Sequence, residues 1–142
     1  MTYDPLPAFE RLEAAFEARD MDGLVALWAE DIDYRSPGGS FIGREQRIAA
    51  ERIWLDGFPD ASIERTRQLV SGNIVILEGV MRGTHTGPLV TQQGIVPPTG
   101  RAMSGQYVSL MTFVDDQITH QRVYFDQLAL MAQLGLSQDG AQ

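Results

Sequence analysis

The sequence contains no cysteine and only two histidines among its 142 residues. Without cysteine there is no disulfide framework and no thiolate chemistry. The histidines and the scattered carboxylates do not have the spacing of metal ligands. No glycine-rich turn matches a nucleotide-binding motif. These absences exclude thiol catalysis and give no indication of a metal or nucleotide site.

Long apolar runs and clusters of positive charge are also missing. No stretch approaches the ~18 apolar residues of a membrane span, and the amino-terminal segment MTYDPLPAFERLEAAF lacks the basic start and apolar block of a signal peptide. We therefore expect a cytoplasmic protein that does not bind membranes. The formal net charge is −8, and the eleven Lys and Arg positions are scattered. Nucleic acid is not an expected partner, because phosphate binding needs clustered positive charge.

The sequence contains helical patterns first and strand patterns afterwards. Its length predicts a single domain, 1–142, that can bury a core and still leave a cavity. The spacing of apolar residues predicts helices over 5–19, 44–55 and 126–134. Strand patterns cover 32–36, 62–70, 74–82, 101–114 and 118–125, with hairpin turns at 71–73 and 115–116. This order predicts an α+β fold in which a curved antiparallel sheet wraps over the N-terminal helices.

The strongest candidates for catalytic side chains lie in the last predicted strand and at the start of the helix after it. Arg122, Tyr124 and Asp126 stand at alternate positions, and side chains two apart on a strand point to the same face. If this face looks inward, Asp126 is a carboxylate in an apolar place, where its protonated form is favoured and it can act as a general acid/base. Asp is equally common as a helix N-cap, so position alone leaves both roles open.

A long loop, 83–100, separates two of the middle strands. Loops of this length in a compact domain are uncommon and usually functional or disordered. With His85 and the pair Gln92-Gln93, the loop is predicted to form a lid or rim at the mouth of a pocket. For His85 itself, backbone contacts within a surface loop are an equal alternative.

Several short segments together resemble a known family. They are GTHTG (83–87), PPTGR (97–101), Ile118 and Asp126 eight residues apart, and QLG (133–135). In this order they resemble the SnoaL-like polyketide cyclases, of the nuclear transport factor 2 and ketosteroid isomerase superfamily, over about residues 9–136. The resemblance implies a cone-shaped fold with a deep apolar pocket, a homodimer and no cofactor. It also implies that Asp126 is the acid/base, which in the family's cyclases removes a proton between carbonyls before an aldol ring closure.

The predicted site combines this resemblance with the local pattern. Arg122 stands where many relatives have Trp, and His120 stands where an acidic residue is usual, so the substrate remains open. We predict that Tyr124 and Arg122 polarise a carbonyl or steady the enolate, although Arg122 could equally pair with a glutamate. The residues predicted to contact substrate are Tyr34, Arg82, His85, Met103 and Tyr107.

The preferred prediction is a cofactor-free acid/base enzyme acting on an apolar, carbonyl-bearing or polycyclic molecule by aldol cyclisation or isomerisation. Two alternatives remain. Limonene-epoxide hydrolase resembles the chain at Tyr124-x-Asp126 and Arg82-x-Thr84, but Thr84 stands where that enzyme requires a second carboxylate. A non-catalytic binding module would use the same pocket without chemistry.

Strand 101–114 also bears on assembly, because both of its alternate residue sets are largely apolar. The helices can cover only one face of the sheet, so apolar residues on the other face stay exposed unless a second molecule covers them. This pattern supports a homodimer.

Overall fold

A computed structural model describes residues 2–136. This part of the chain contains helices α1 Leu6–Glu17, α2 Met21–Ala26, α3 Arg44–Gly57 and α4 Gln127–Gln133. The strands are β1 Trp28–Ser36, β2 Gly39–Ile42, β3 Ser62–Ser71, β4 Ile74–Thr84, β5 Leu89–Thr91, β6 Gly94–Val96, β7 Ala102–Val114 and β8 Gln117–Phe125. None of these helices is long and apolar enough to cross a lipid bilayer. The predicted α+β class is confirmed.

Six strands form one curved sheet in the order β2-β1-β8-β7-β4-β3. Its neighbours are antiparallel except β1 and β8, which run parallel, with Tyr34 opposite Gln121. The sheet is therefore mixed, whereas the sequence predicted an antiparallel one. Local patterns predict hairpins between consecutive strands, whereas the β1–β8 pair joins the first and last strands of the sheet and depends on the whole chain path.

The segment 83–100 is more regular than predicted. It contains the two-stranded hairpin β5–β6, which is separate from the main sheet. Leu89 on β5 is buried, and it lies so close to Gly57 at the end of α3 that a side chain at Gly57 would press against it. The hairpin therefore packs against α3.

The two alternate residue sets of β7 have different environments. One set faces the helices and is buried: Tyr107, Ser109, Met111 and Phe113. The other set, Val108, Leu110, Thr112 and Val114, points to the opposite face and remains partly or fully exposed. Phe9 of α1 and Trp28 of β1 are almost fully buried in the same core. The core thus lies between the concave sheet face and the helices.

We expect the exposed set on β7 to pair with a second copy of the chain. Sedimentation at micromolar concentration should give a single species of about twice the 15.7 kDa chain mass. Leu110→Arg should dissociate it, because the new charge would lie beside Arg122, the residue opposite Leu110 on β8, within the contact between the two copies. Ile95→Arg is the matched control, since Ile95 is an exposed apolar residue on the separate hairpin. A parent protein sedimenting near 15.7 kDa would contradict this expectation.

Candidate functional site

A cavity of about 540 Å³ lies between α1, α3 and the concave face of the sheet. Its lining is largely apolar and includes Phe9, Phe16, Trp54, Leu77, Met111 and Val123. The exposed residues Glu17, Arg19 and Asp60 also line it, which places its mouth between the end of α1 and the start of β3. A cavity of this size and composition suits a drug-sized apolar ligand.

One group of polar side chains is buried in this cavity. We call Arg47, Glu51, Ser109 and Gln121 the polar cluster; all four line the cavity. Arg47 and Glu51 are four residues apart on α3, so they share a helix face, and Arg47 Nη1 donates to Glu51 Oε1 at 3.0 Å. Arg47 Nη2 donates to Gln121 Oε1 at 3.4 Å, and Gln121 Nε2 donates to Ser109 Oγ at 3.0 Å. The Arg–Glu pair is neutral as a whole, so the cluster does not require an anionic ligand.

The Arg47 guanidinium lies between two aromatic rings. Its Cζ atom is 4.2 Å from the ring centroid of Trp28 and 4.1 Å from that of Tyr34. Arg47 Nε and Trp28 Nε1 are buried and have no hydrogen-bond partner among residues 2–136. Buried donors are nearly always paired, and both residues line the cavity. The two N–H groups themselves have almost no exposed surface, so Arg47 contributes to the cavity wall by packing between the two rings and through its hydrogen bonds to Glu51 and Gln121.

Two buried phenols, Tyr34 and Tyr107, also line this cavity. Burial raises the pKa of Tyr34, although the neighbouring Arg47 charge acts in the opposite direction. Burial also raises the pKa of Tyr107, and the negative charge of Glu13 adds to that effect. Both phenols therefore remain protonated at neutral pH. Of the residues predicted to contact substrate, Tyr34, Tyr107 and Met103 line this cavity.

The structure places Arg122 and Tyr124 away from the cavity, so the inward orientation predicted for this face of β8 was wrong. Their neighbours Gln121, Val123 and Phe125 line the cavity instead, and alternate residues must point to the opposite face. Arg122 Nη1 donates to the backbone oxygen of Asp33 at 2.8 Å and lies 3.3 Å from the Asp33 carboxylate, not from a glutamate. Tyr124 is 59% exposed.

Arg82 and His85 also lie outside the cavity. Arg82 is exposed and forms an ion pair with Glu64 at 2.6 Å. His85 is fully buried: its Nδ1 accepts from the backbone N–H of Thr99 at 3.2 Å, and its ring packs 5.4 Å from that of Phe58. The prediction that the loop forms the rim was therefore wrong, since none of residues 83–100 lines the cavity. The buried imidazole instead holds the two ends of the loop together.

Asp126 lies at the junction between β8 and α4. It is the N-cap of α4, and its Oδ1 accepts from the backbone N–H of Ala129 at 3.0 Å. Its side chain lines a second cavity of about 260 Å³ rather than the larger one. Met81, Met103 and Phe125 line both cavities and therefore form the wall between them. The capping role is observed; the acid/base role remains a prediction.

The comparison with known sequences assigns the chain to a family. The family described as SnoaL-like polyketide cyclase matches residues 8–134. The chain belongs to the SnoaL-like polyketide cyclase family. A relative of this SnoaL-like chain is the aklanonic acid methyl ester cyclase DnrD of Streptomyces peucetius, 32% identical over 110 residues that cover 73% of each chain. The predicted resemblance is confirmed.

Solved structures support the same fold for the SnoaL-like chain. A protein of Jannaschia sp. CCS1 that is described as a SnoaL-like polyketide cyclase is 25% identical to this chain, with a TM-score of 0.81. The match covers 92% of this chain and 90% of that protein. A protein of Catenulispora acidiphila with a ketosteroid isomerase-like fold is 21% identical with a TM-score of 0.73 over the full length of both. The family supports a cyclase-like or related function.

Sequence reasoning missed the polar cluster of this SnoaL-like protein. The Arg47/Glu51 spacing is visible in the sequence, but it is also typical of an exposed helical ion pair. Gln121 stands between Arg122 and the histidine at 120, so nothing local distinguishes it as the inward residue. The one signal in the sequence is the spacing on α3, which places Arg47 three residues before Ala50 and therefore on the same helical face; the structure buries both residues.

Proposed function

We propose that this SnoaL-like protein is a cofactor-free acid/base enzyme that forms an enolate on an apolar, carbonyl-bearing molecule and closes a ring by aldol addition. The observation that carries the proposal is a largely apolar cavity of about 540 Å³ that contains the polar cluster and adjoins a second cavity lined by Asp126. Carbonyl oxygens are acceptors without a charge, which matches the neutral polar cluster. The relative's name, a cyclase of a methyl ester, supports the same substrate class.

The residue composition restricts the route to the carbon nucleophile. All eleven Lys and Arg positions in the sequence are arginine. Without lysine, no side chain can form the Schiff base through which amine catalysis activates a ketone. The nucleophile must then arise by direct proton removal from carbon, which requires a general base.

Asp126 is our proposed base. Its carboxylate takes the proton from the carbon between two carbonyls, and the electrons of the C–H bond move onto a carbonyl oxygen as an enolate. The enolate carbon then bonds to a second carbonyl carbon of the same molecule, and Asp126 returns the proton to the new alkoxide. This sequence of steps neither oxidises nor reduces the substrate, so it needs no oxidant or other co-reactant.

The distance along β8 predicts the shape of the substrate. Gln121 of the polar cluster and Asp126 are five residues apart, which corresponds to ~16 Å at ~3.3 Å per residue. The polar cluster is therefore too far away to stabilise an enolate formed at Asp126. We assign it instead to anchoring a carbonyl at the far end of an elongated, polycyclic substrate.

A non-catalytic binding protein is the second candidate. The observation in its favour is that Asp126 is exposed and already serves as the N-cap of α4, which gives the carboxylate a complete structural role. In that case the larger cavity binds the same molecules without transferring protons.

Deuterium exchange separates the two candidates. We suggest methyl 2-naphthoylacetate, which has a flat apolar body and an acidic methylene between a ketone and an ester. In deuterated buffer, NMR should show loss of the methylene signal faster with the protein than with buffer alone. Binding in calorimetry together with exchange at the buffer rate would support the binding protein and overturn the enzyme. A full cyclisation assay would follow with linear aromatic polyketide esters.

A further inference from the structure

The concave side of β7 has one position without a side chain. Met103, Tyr107 and Ser109 project from this side into the larger cavity, and Gly105 stands between the first two. A Cβ atom built on Gly105 would meet no atom within 4 Å. Gly105 lines the second cavity. The missing side chain therefore leaves open space beside the wall that separates the two cavities.

Neither backbone geometry nor close packing explains this glycine. Its φ lies outside the left-handed region, and the β4–β7 ladder runs without a register shift through the Met81–Gly105 pair. By contrast, a Cβ at Gly79 would lie 2.8 Å from the Glu64 oxygen, and one at Gly83 would lie 3.0 Å from Phe58. Packing therefore requires a glycine at Gly79 and leaves little room for a side chain at Gly83. A glycine inside a strand marks a bulge, a bend, or a place that a ligand or another backbone approaches closely; the ladder has no bulge here, and no other backbone lies within 4 Å of the Cβ position.

The second cavity leads from this gap to Asp126. Its volume of about 260 Å³ is less than half of the 540 Å³ of the larger cavity, so it has room for an arm of a substrate whose body occupies the larger cavity. Gln133 fixes α4 over β7, because its side chain accepts from the Ser104 N–H at 2.7 Å and donates to the Ser104 oxygen at 2.8 Å. The Asp126 carboxylate is thereby held at a constant place relative to Gly105.

We propose that the second cavity is a subsite for the short ester-bearing arm of the substrate, and that Gly105 determines which arms enter it. The flat body lies in the larger cavity, and the arm passes the wall of Met81, Met103 and Phe125 to reach the Asp126 carboxylate. Two of these three wall residues are methionines, whose side chains adapt their shape readily. This inference rests on the proposed function, because the arm carries the carbon that loses its proton.

The test fills the gap in steps and uses two ligands. Gly105→Ala, Gly105→Val and Gly105→Leu add increasing volume, and all three residues can adopt the backbone conformation at this position. The ligands are methyl 2-naphthoylacetate, which has the arm, and 2-acetylnaphthalene, which has the same body without the ester. Calorimetry measures the affinity of each ligand, NMR measures deuterium exchange, and thermal unfolding measures stability.

We expect the parent to bind the ester-bearing ligand more tightly, and Gly105→Leu to remove that difference while leaving 2-acetylnaphthalene binding unchanged. The rate of deuterium exchange should fall by about 10- to 100-fold from the parent to Gly105→Leu, because displacing the reacting carbon by about 1 Å has a cost of this size. Equal affinity of the parent for both ligands, or full exchange in a folded Gly105→Leu protein, would overturn the subsite. If the parent prefers the ester but exchanges no protons, the proposed function fails and the subsite stands. If Gly105→Leu does not fold, the decision rests on Gly105→Val.

Discussion

Replacing Asp126 by Asn should lower turnover by ~10²–10⁴, the usual cost of losing a general acid/base, with little change in Tm. Asn is as good an N-cap as Asp, so it should still accept the Ala129 N–H at the start of α4. It cannot take up a proton from a carbon acid. The measurement is deuterium exchange of methyl 2-naphthoylacetate, or turnover of a polyketide ester, alongside thermal unfolding.

Two further variants make this result specific. Asp126→Ala should lose turnover and also ~1 kcal/mol of stability, because the cap is removed. Tyr124→Phe is the matched control: Tyr124 lies two residues away on β8 but is exposed on the opposite sheet face, so its hydroxyl should contribute nothing to turnover. If the Asp126→Asn protein exchanged the methylene protons at the parent's rate, Asp126 would be only the N-cap of α4 and not the base.

Arg47→Met should destabilise the protein by about 3–5 kcal/mol, the typical cost of breaking a buried ion pair. The substitution leaves Glu51, which is only 13% exposed, without the guanidinium that compensates its charge. It also removes the cation between the rings of Trp28 and Tyr34. For a domain of this size the Tm should fall by on the order of 10 °C, measured by calorimetric unfolding.

A double variant separates the buried charge from general damage to α3. Arg47→Met combined with Glu51→Leu should recover most of the lost stability, because apolar replacements of a buried pair are often neutral. Arg52→Met is the matched control on the same helix, since Arg52 is exposed and surface substitutions usually change stability by about 0.5 kcal/mol or less. If Arg47→Met were as mild as Arg52→Met, the polar cluster would contribute little to folding.

Local patterns were sufficient for most elements. Strands β3, β4, β7 and β8 lie within two residues of their predicted bounds, because alternation and turn residues are local properties. The turn Asp115-Asp116 has positive φ at both residues, 51° and 63°, the geometry of the two-residue hairpin turn that the pattern predicted. The strand β1 begins at Trp28, earlier than predicted, because its pairing with β8 extends it.

Alternation does not reveal which face of a strand is buried. On β8 the predicted face carried Arg122 and Tyr124, and the buried face carries Gln121 and Val123. The choice depends on partners from other elements: the Gln121 amide meets Ser109 and Arg47 inside, whereas Arg122 finds Asp33 outside. An arginine and a glutamine have similar local preferences, so their orientation is decided by which hydrogen bonds the assembled fold can supply.

The sequence by itself determined the order of helices and strands, the family, and the position of Asp126 where a strand meets a helix, because each depends on neighbouring residues. Only the tertiary structure decided the polar cluster and the second cavity. Arg47 and Gln121 are 74 residues apart in the chain, and the space beside Gly105 exists only when β4, β7, β8 and α4 are packed together. Contacts between distant segments and the cavities they leave are properties of packing, which no local pattern encodes.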